Sequence, residues 1–109
     1  MRYRKLGLTG VDVSTLGFGC MRLPQTDAED PTKIDQELFN EMVDLYMEHG
    51  FNYFDTSYAY HNGVSEVAIR KAVVERYPRE SYKICDKMPT WALTSKEDNE
   101  KFVNEMQIG

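Results

Sequence analysis

Apolar positions along this chain change their spacing several times, and each change marks an element. Residues 2–6 and 11–16 alternate polar and apolar side chains, the two-residue period of a strand with one polar face. Gly7-Leu8-Thr9-Gly10 lies between them, and two glycines in so short a linker predict a hairpin turn. Leu16-Gly17-Phe18-Gly19-Cys20-Met21 is an apolar run whose glycines imply close approach of the backbone to a neighbour or a ligand. Residues 24–33, rich in Pro, Asp and Thr, read as a loop.

From about Asp35 to His49 the period turns helical. Leu38, Met42, Leu45, Tyr46 and His49 recur at three- and four-residue steps as one apolar stripe, and Gly50 stands where a glycine closes a helix. Phe51-Asn52-Tyr53-Phe54-Asp55 then reads as a buried strand, and residues 56–64 as a loop. A second helix is expected from Ser65, a candidate N-cap, to Tyr77, with Ile69, Ala72, Val73 and Tyr77 inward and Pro78 as its stop. Residues 82–87 form the next strand-like run. Thr94 and Glu97 make a capping box for a third helix reaching about Met106, with Phe102, Val103 and Met106 inward. Strands alternating with helices predict an α/β chain with a parallel sheet and right-handed crossovers, here a hairpin followed by three β/α units in a single domain, 1–109.

Composition narrows the function classes. The chain has 109 residues, is 41% hydrophobic and carries a net charge of −5. That balance argues against nucleic acid, whose footprint is a basic patch, and against an anionic membrane surface. No apolar run reaches the about 18 residues of a membrane-spanning helix, and the polar start Met-Arg-Tyr-Arg-Lys does not lead a signal peptide. Cys20 and Cys85 sit in apolar runs outside any CxxC pair, so the expectation is two buried thiols in a reducing cytoplasm, with no metal site.

The candidate chemistry sits at strand ends. Asp55 closes one strand, Tyr60 follows on the loop, and Lys87 closes the next strand. A phenol near an ammonium can surrender its proton because the positive charge favours the phenolate, and a carboxylate can hold and neutralise that ammonium. The same three residues also read blandly, as a loop-capping aspartate, a surface tyrosine and a strand-end lysine. Asp55 and Asp86 do not make a convincing glycosidase pair, since no apolar pocket or defined separation supports one. Asp86 reads as a solvated or paired charge, and Glu66, Glu75 and Glu80 as solvated charges. Trp91, Tyr58 and Met88 are candidates to line a pocket.

Three stretches together resemble the aldo-keto reductases. The opening from Arg4 through Leu23 is similar to that family's N-terminus. Phe-Asp-Thr-Ser-Tyr-Ala-Tyr with Asn62-Gly63 and Ser65-Glu66 resembles its second barrel strand, catalytic loop and following helix. Ile-Cys-Asp-Lys-Met-Pro-Thr-Trp resembles its third strand. The resemblance implies a (β/α)₈ TIM barrel, of which this chain would be the N-terminal portion, since such a barrel takes about 250 residues. It implies NAD(P)H-dependent reduction of a small carbonyl substrate with tyrosine as proton donor, NADP being the usual cofactor. Asp55, Tyr60 and Lys87 would be catalytic. Gly19, Cys20, Met21 and Asp55 would lie at the nicotinamide, and Trp91 would wall the substrate pocket. The family's catalytic histidine would fall beyond Gly109, and neither His49 nor His61 matches it. The chain alone is therefore expected to be inactive as a reductase. The alternative is a non-enzymatic partial barrel. Its open sheet edges and uncovered apolar sheet face would recruit a second copy or a complementing barrel fragment.

Overall fold

A computed structural model of the chain describes residues 2–88 together with Lys96, Glu97 and Glu100. Lys96, Glu97 and Glu100 are helical, while Trp91, Thr94, Phe102, Val103 and Met106 lie outside the described residues. The chain opens with the hairpin β1 (Tyr3–Lys5) and β2 (Asp12–Ser14), antiparallel with Tyr3 opposite Ser14. Gly7 and Gly10 take the left-handed φ values of 55° and 75° that the turn requires and that glycine adopts without strain. The hairpin is sewn to the rest by Asn52. Its side-chain oxygen accepts from Ser14 N at 2.7 Å, and its amide donates to Asp12 O at 3.2 Å.

The second sheet holds three parallel strands in the order β3 (Phe18–Gly19), β4 (Tyr53–Asp55) and β5 (Lys83–Cys85). Gly19 stands opposite Asp55, and Asp55 opposite Cys85. Helix α1 (Gln36–Glu48) crosses between β3 and β4. Asp35 caps its N-terminus by accepting from Leu38 N at 3.1 Å. Its C-terminus is a Schellman motif: Gly50, at φ 87°, donates to Met47 O, Phe51 N donates to Tyr46 O, and the Tyr46 and Phe51 rings stack at 4.8 Å.

Between β4 and β5 come a 3-10 turn (Tyr60–Gly63), helix α2 (Val64–Ile69), a π turn (Arg70–Val74) and a second 3-10 turn (Arg79–Ser81). In the π turn Glu75 N donates to Arg70 O, five residues back, where an unbroken α-helix had been expected. Ser65 is not the N-cap either. Gly63, at φ 92°, precedes the helix, and Ser65 lies inside it, fully buried.

The core fills the layer between the sheet and the helices. Phe18 and Phe54 from the strands meet Phe39, Val43 and Tyr46 of α1 and Ile69, Ala72 and Val73 of the second helical segment. This differs from the expected α1 stripe. Tyr46 is inward, but Leu38, Met42 and Leu45 are 42%, 39% and 59% exposed, and Phe39 and Val43 take their place. The arc from Leu38 to Tyr46 is apolar over nearly half the helix circumference, so periodicity fixes the helix without fixing its rotation. The sheet face turned away from the helices was expected to be an apolar patch. It carries the half-buried Tyr53, Asp55, Lys83 and Cys85 instead, a mixed polar surface.

Candidate active site

Three side chains converge where the parallel strands end. Asp55 is the last residue of β4, Tyr60 the first residue of the 3-10 turn, and Lys87 lies two residues past β5. The two-residue period of a strand puts Lys87 on the same face as Cys85, and Cys85 is in register with Asp55, so the lysine reaches back across one strand spacing. Lys87 Nζ lies 2.9 and 3.0 Å from the two oxygens of Asp55, 3.0 Å from Thr56 O and 3.4 Å from Tyr60 Oη. It also stands 5.1 Å from the centroid of the Tyr60 ring. Its three N–H donors are thus aimed at a carboxylate, a carbonyl and a phenol. Burial alone pushes the Lys87 ammonium toward losing its proton, but the hydrogen bonds to Asp55 and Tyr60 outweigh it and raise the pKa above that of an ordinary lysine.

The backbone beneath this cluster is cross-tied. Cys20 N donates to Asp55 O, Thr56 N to Cys85 O, and Tyr58 N to Lys87 O, each between 2.8 and 3.0 Å. Below these, Thr56 Oγ1 and Ser65 Oγ lie 2.8 Å apart, and Ser65 Oγ donates to Cys20 O at 3.1 Å. With its one proton committed to that carbonyl, Ser65 accepts from Thr56. This buried chain joins the ends of β3 and β4 to the start of α2. It also presents Thr56 O to Lys87. Neither Thr56 nor Ser65 was singled out for this from the sequence; a small hydroxyl directly after the strand-end aspartate was the only signal.

The loop that carries Tyr60 has a second brace. His61 and Asn62 adopt left-handed backbone conformations at φ 53° and 52°, uncommon for residues other than glycine. The buried His61 ring holds them there: Nε2 accepts from Leu23 N and Nδ1 donates to Pro31 O, both at 2.9 Å. The ring ties the loop carrying Tyr60 to the 24–33 loop, so its role is bracing.

Gly19, opposite Asp55 in the sheet, and Met21 are exposed, and a Cβ built on Gly19 would meet nothing within 4 Å. Cys20, between them, turns inward and is fully buried, and burial, followed by the Asp55 charge, pushes its thiol up to about 12. Its N–H and C=O are both engaged, so any contact it makes with a ligand is limited to the surface of its backbone. Cys85 is half-buried rather than buried, and neither cysteine forms a disulfide. Glu66, expected to be solvated, is 1% exposed, whereas Glu75 and Glu80 are exposed. Asp86 is half-buried, with Oδ1 accepting from Lys87 N. Among the described residues no helix is long and apolar enough to cross a membrane.

The chain is similar to known proteins over most of its length. The model of the aldo/keto reductase family matches residues 15–107. The chain is 33% identical over 90 residues to the aldo-keto reductase ausK of Emericella nidulans, covering 82% of this chain and 23% of that protein. Among solved structures, aldo-keto reductase AKR11C1 from Bacillus halodurans, in its holo form, superposes with a TM-score of 0.64 at 32% identity, over 79% of this chain and 25% of that one. The thermostable aldo-keto reductase Tm1743, in complex with the inhibitor epalrestat, shares the fold with a TM-score of 0.71 at 24% identity, over 97% of this chain and 37% of that one. The chain therefore spans about a quarter of the length of the curated relative, and among the described residues three parallel strands form an open sheet where the relatives have a TIM barrel. With its family model matched over most of its length, this chain belongs to the aldo/keto reductase family.

Proposed function

We propose that this chain carries the proton-donating part of an NAD(P)H-dependent carbonyl reductase site, working in the cytoplasm. The observation that carries the reading is the single ammonium of Lys87 held at once by Asp55 and against Tyr60 Oη. Reduction of an aldehyde or ketone needs a hydride at carbon and a proton at oxygen. A nicotinamide cofactor supplies the hydride when bound. The open ledge at Gly19, followed by the exposed Met21, fits a flat ring beside the cluster, and NADP is the form we assign.

Tyr60 Oη donates its proton to the carbonyl oxygen as charge develops there. Lys87, already hydrogen-bonded to that phenol, stabilises the negative charge left on Tyr60. Asp55 keeps Lys87 charged and fixes its direction, and Thr56 O takes another of its protons. The substrate is a small carbonyl compound. The remaining strands and the catalytic histidine are supplied from outside the 109 residues, so the chain alone is inactive.

The test joins the chain to the C-terminal remainder of a homologous aldo-keto reductase barrel and follows NADPH oxidation with an aromatic aldehyde. Turnover is expected, with kcat lowered at least about 100-fold by Tyr60→Phe and NADPH affinity unchanged. A Tyr60→Phe chimera that keeps its kcat overturns the assignment. One observation favours a second reading, a partner-binding partial barrel: the bare apolar residues Leu38, Met42 and Leu45 on α1.

A further inference from the structure

Tyr60 is followed by two residues that hold a left-handed backbone without being glycine, His61 at φ 53° and Asn62 at φ 52°. Such a pair persists only where its surroundings impose it. On one side of it, Tyr60 N donates to Ser57 O at 3.2 Å. On the other stands the His61 ring, 8% exposed, which accepts at Nε2 from Leu23 N and donates from Nδ1 to Pro31 O. Both partners sit on a tied platform. The loop that follows Leu23 closes through the bridge of Gln25 with Ile34, and Asp35 N donates to Pro24 O at 2.8 Å, which fastens its neck to the start of α1. The ring's hydrogen bonds thus go to backbone atoms alone, one as acceptor and one as donor. Only a neutral imidazole with its proton on Nδ1 can do both.

We infer that His61 is a positioning residue for Tyr60, one that holds the phenol at Lys87 only while its imidazole is neutral, so that acid opens the site. The inference rests on the reductase reading, since it assigns a role to the loop that carries the proton donor. A second proton, on Nε2, removes the acceptor and sets an N–H against the Leu23 N–H in a buried place. The tie to the 24–33 loop then opens, the left-handed pair loses its support, and Tyr60 Oη leaves its position 3.4 Å from Lys87 Nζ. Positioning is therefore complete with the ring neutral and is lost as pH falls, histidine being the side chain that ordinarily changes charge between about pH 5 and 8. The charged side chains on the segments around the ring are Arg22 beside Leu23, Asp27, Glu29, Asp30 and Lys33 on the loop, and Glu66 on α2. Asp30 accepts from Thr32 N and Oγ1 at 2.9 and 2.6 Å, and among the described residues none of the six is bonded to the ring.

The test reads the full chain by NMR and then the barrel chimera. From about pH 7.5 to about pH 5.5, opening of the Leu23 amide, followed by hydrogen exchange corrected for its intrinsic rate, should rise at least about fivefold. The Overhauser contact between the Tyr60 ring and the Lys87 side chain should weaken in step. His61→Gln offers an acceptor and a donor but does not titrate, so it should hold both readings level over that range. His61→Asn serves in the same way if the glutamine variant does not fold, and the unsubstituted chain needs neither. In the chimera kcat should fall at least about fivefold over the same range with KM for NADPH unchanged, and His61→Gln should remove that fall. A Leu23 amide that opens equally at both pH values overturns the inference. So does a His61→Gln protein whose readings still follow pH, or a contact between Tyr60 and Lys87 that survives the opening. A chimera without turnover sinks the reductase reading instead, and the spectra of the chain itself still decide this one.

Discussion

Ser65→Ala removes one oxygen from the interior, yet two other groups depend on it. Ser65 and Thr56 are both fully buried. The substitution deprives Cys20 O of its donor at 3.1 Å and Thr56 Oγ1 of its acceptor at 2.8 Å. Each buried group left without a partner costs about 1–3 kcal/mol, so the single variant should lose about 2–4 kcal/mol. Thr56→Val is milder. Ser65 still donates to Cys20 O, only one acceptor site on its oxygen goes unused, and the loss should be about 1 kcal/mol. In the double variant the Thr56 hydroxyl is gone as well, and only the Cys20 carbonyl is stranded. The double loss should therefore fall short of the sum of the singles by about 1–2 kcal/mol. Urea unfolding of the four proteins, followed by circular dichroism, measures this directly. Singles that add within about 0.3–0.5 kcal/mol, or a Ser65→Ala loss below about 0.5 kcal/mol, would show that the three groups do not act as one network.

Further predictions follow from the same geometry. Burial holds the Cys20 thiol near 12, so a thiol reagent at pH 8 should label Cys85 in the native chain and reach Cys20 only on unfolding; equal rates would refute this. A folded pKa raised above the unfolded value favours folding below about pH 9, and this contribution is lost as pH rises toward about 12, so Cys20→Ala should flatten the alkaline loss of stability in that window. Lys87 is also raised, so its contribution is complete below the ordinary lysine pKa and is lost as pH rises through the higher folded value. Nitrogen-15 NMR should find its ammonium persisting above free lysine and Asp55→Asn lowering it, whereas no change would mean that the carboxylate does not hold it. His61→Ala strands Leu23 N and Pro31 O at a cost of about 1–3 kcal/mol, and should speed tryptic cleavage at Arg22 and Lys33; unchanged cleavage would remove the bracing role.

The strand ends were legible because their signals are local. An apolar run ending in a charge places Asp55 and Lys87 at the ends of their runs, and Gly50 with Phe51 encodes the turn out of α1. What failed to show depends on rotation or on distant partners. α1 carries two adjacent apolar stripes, and only the sheet beneath selects Phe39 and Val43 over Leu38 and Met42. Ser65 has the residue type and position of an N-cap, but Gly63 takes the turn conformation and frees the serine hydroxyl to reach Cys20, 45 residues away. His61 gave no sign that its ring would meet backbone atoms 30 and 38 residues distant. Glu66 follows a serine on a helix, a position that reads as solvated, and its burial comes entirely from tertiary packing.

The division of labour in this sheet explains how so short a chain holds an ordered cluster. Asp55, Thr56, Tyr60 and Lys87 come from β4, β5 and the segments that join and follow them, so among the described residues the contacts to the ammonium lie within one β/α/β unit. The ties beneath it reach the end of β3, the neighbouring strand, and Ser65 of α2. Among the described residues the geometry of the cluster draws on these three strands, on Ser65 at the start of α2 and on the His61 brace to the 24–33 loop. Among the described residues, what remains unmet lies at the margins: an outer edge on β3, another on β5, and the bare stripe of α1. A preorganised charged cluster at the centre with unmet apolar surface at the rim predicts a separation under mutation. Substitutions at Leu38, Met42 or Leu45 should change association and leave the Lys87 contacts intact, while Asp55→Asn should do the reverse.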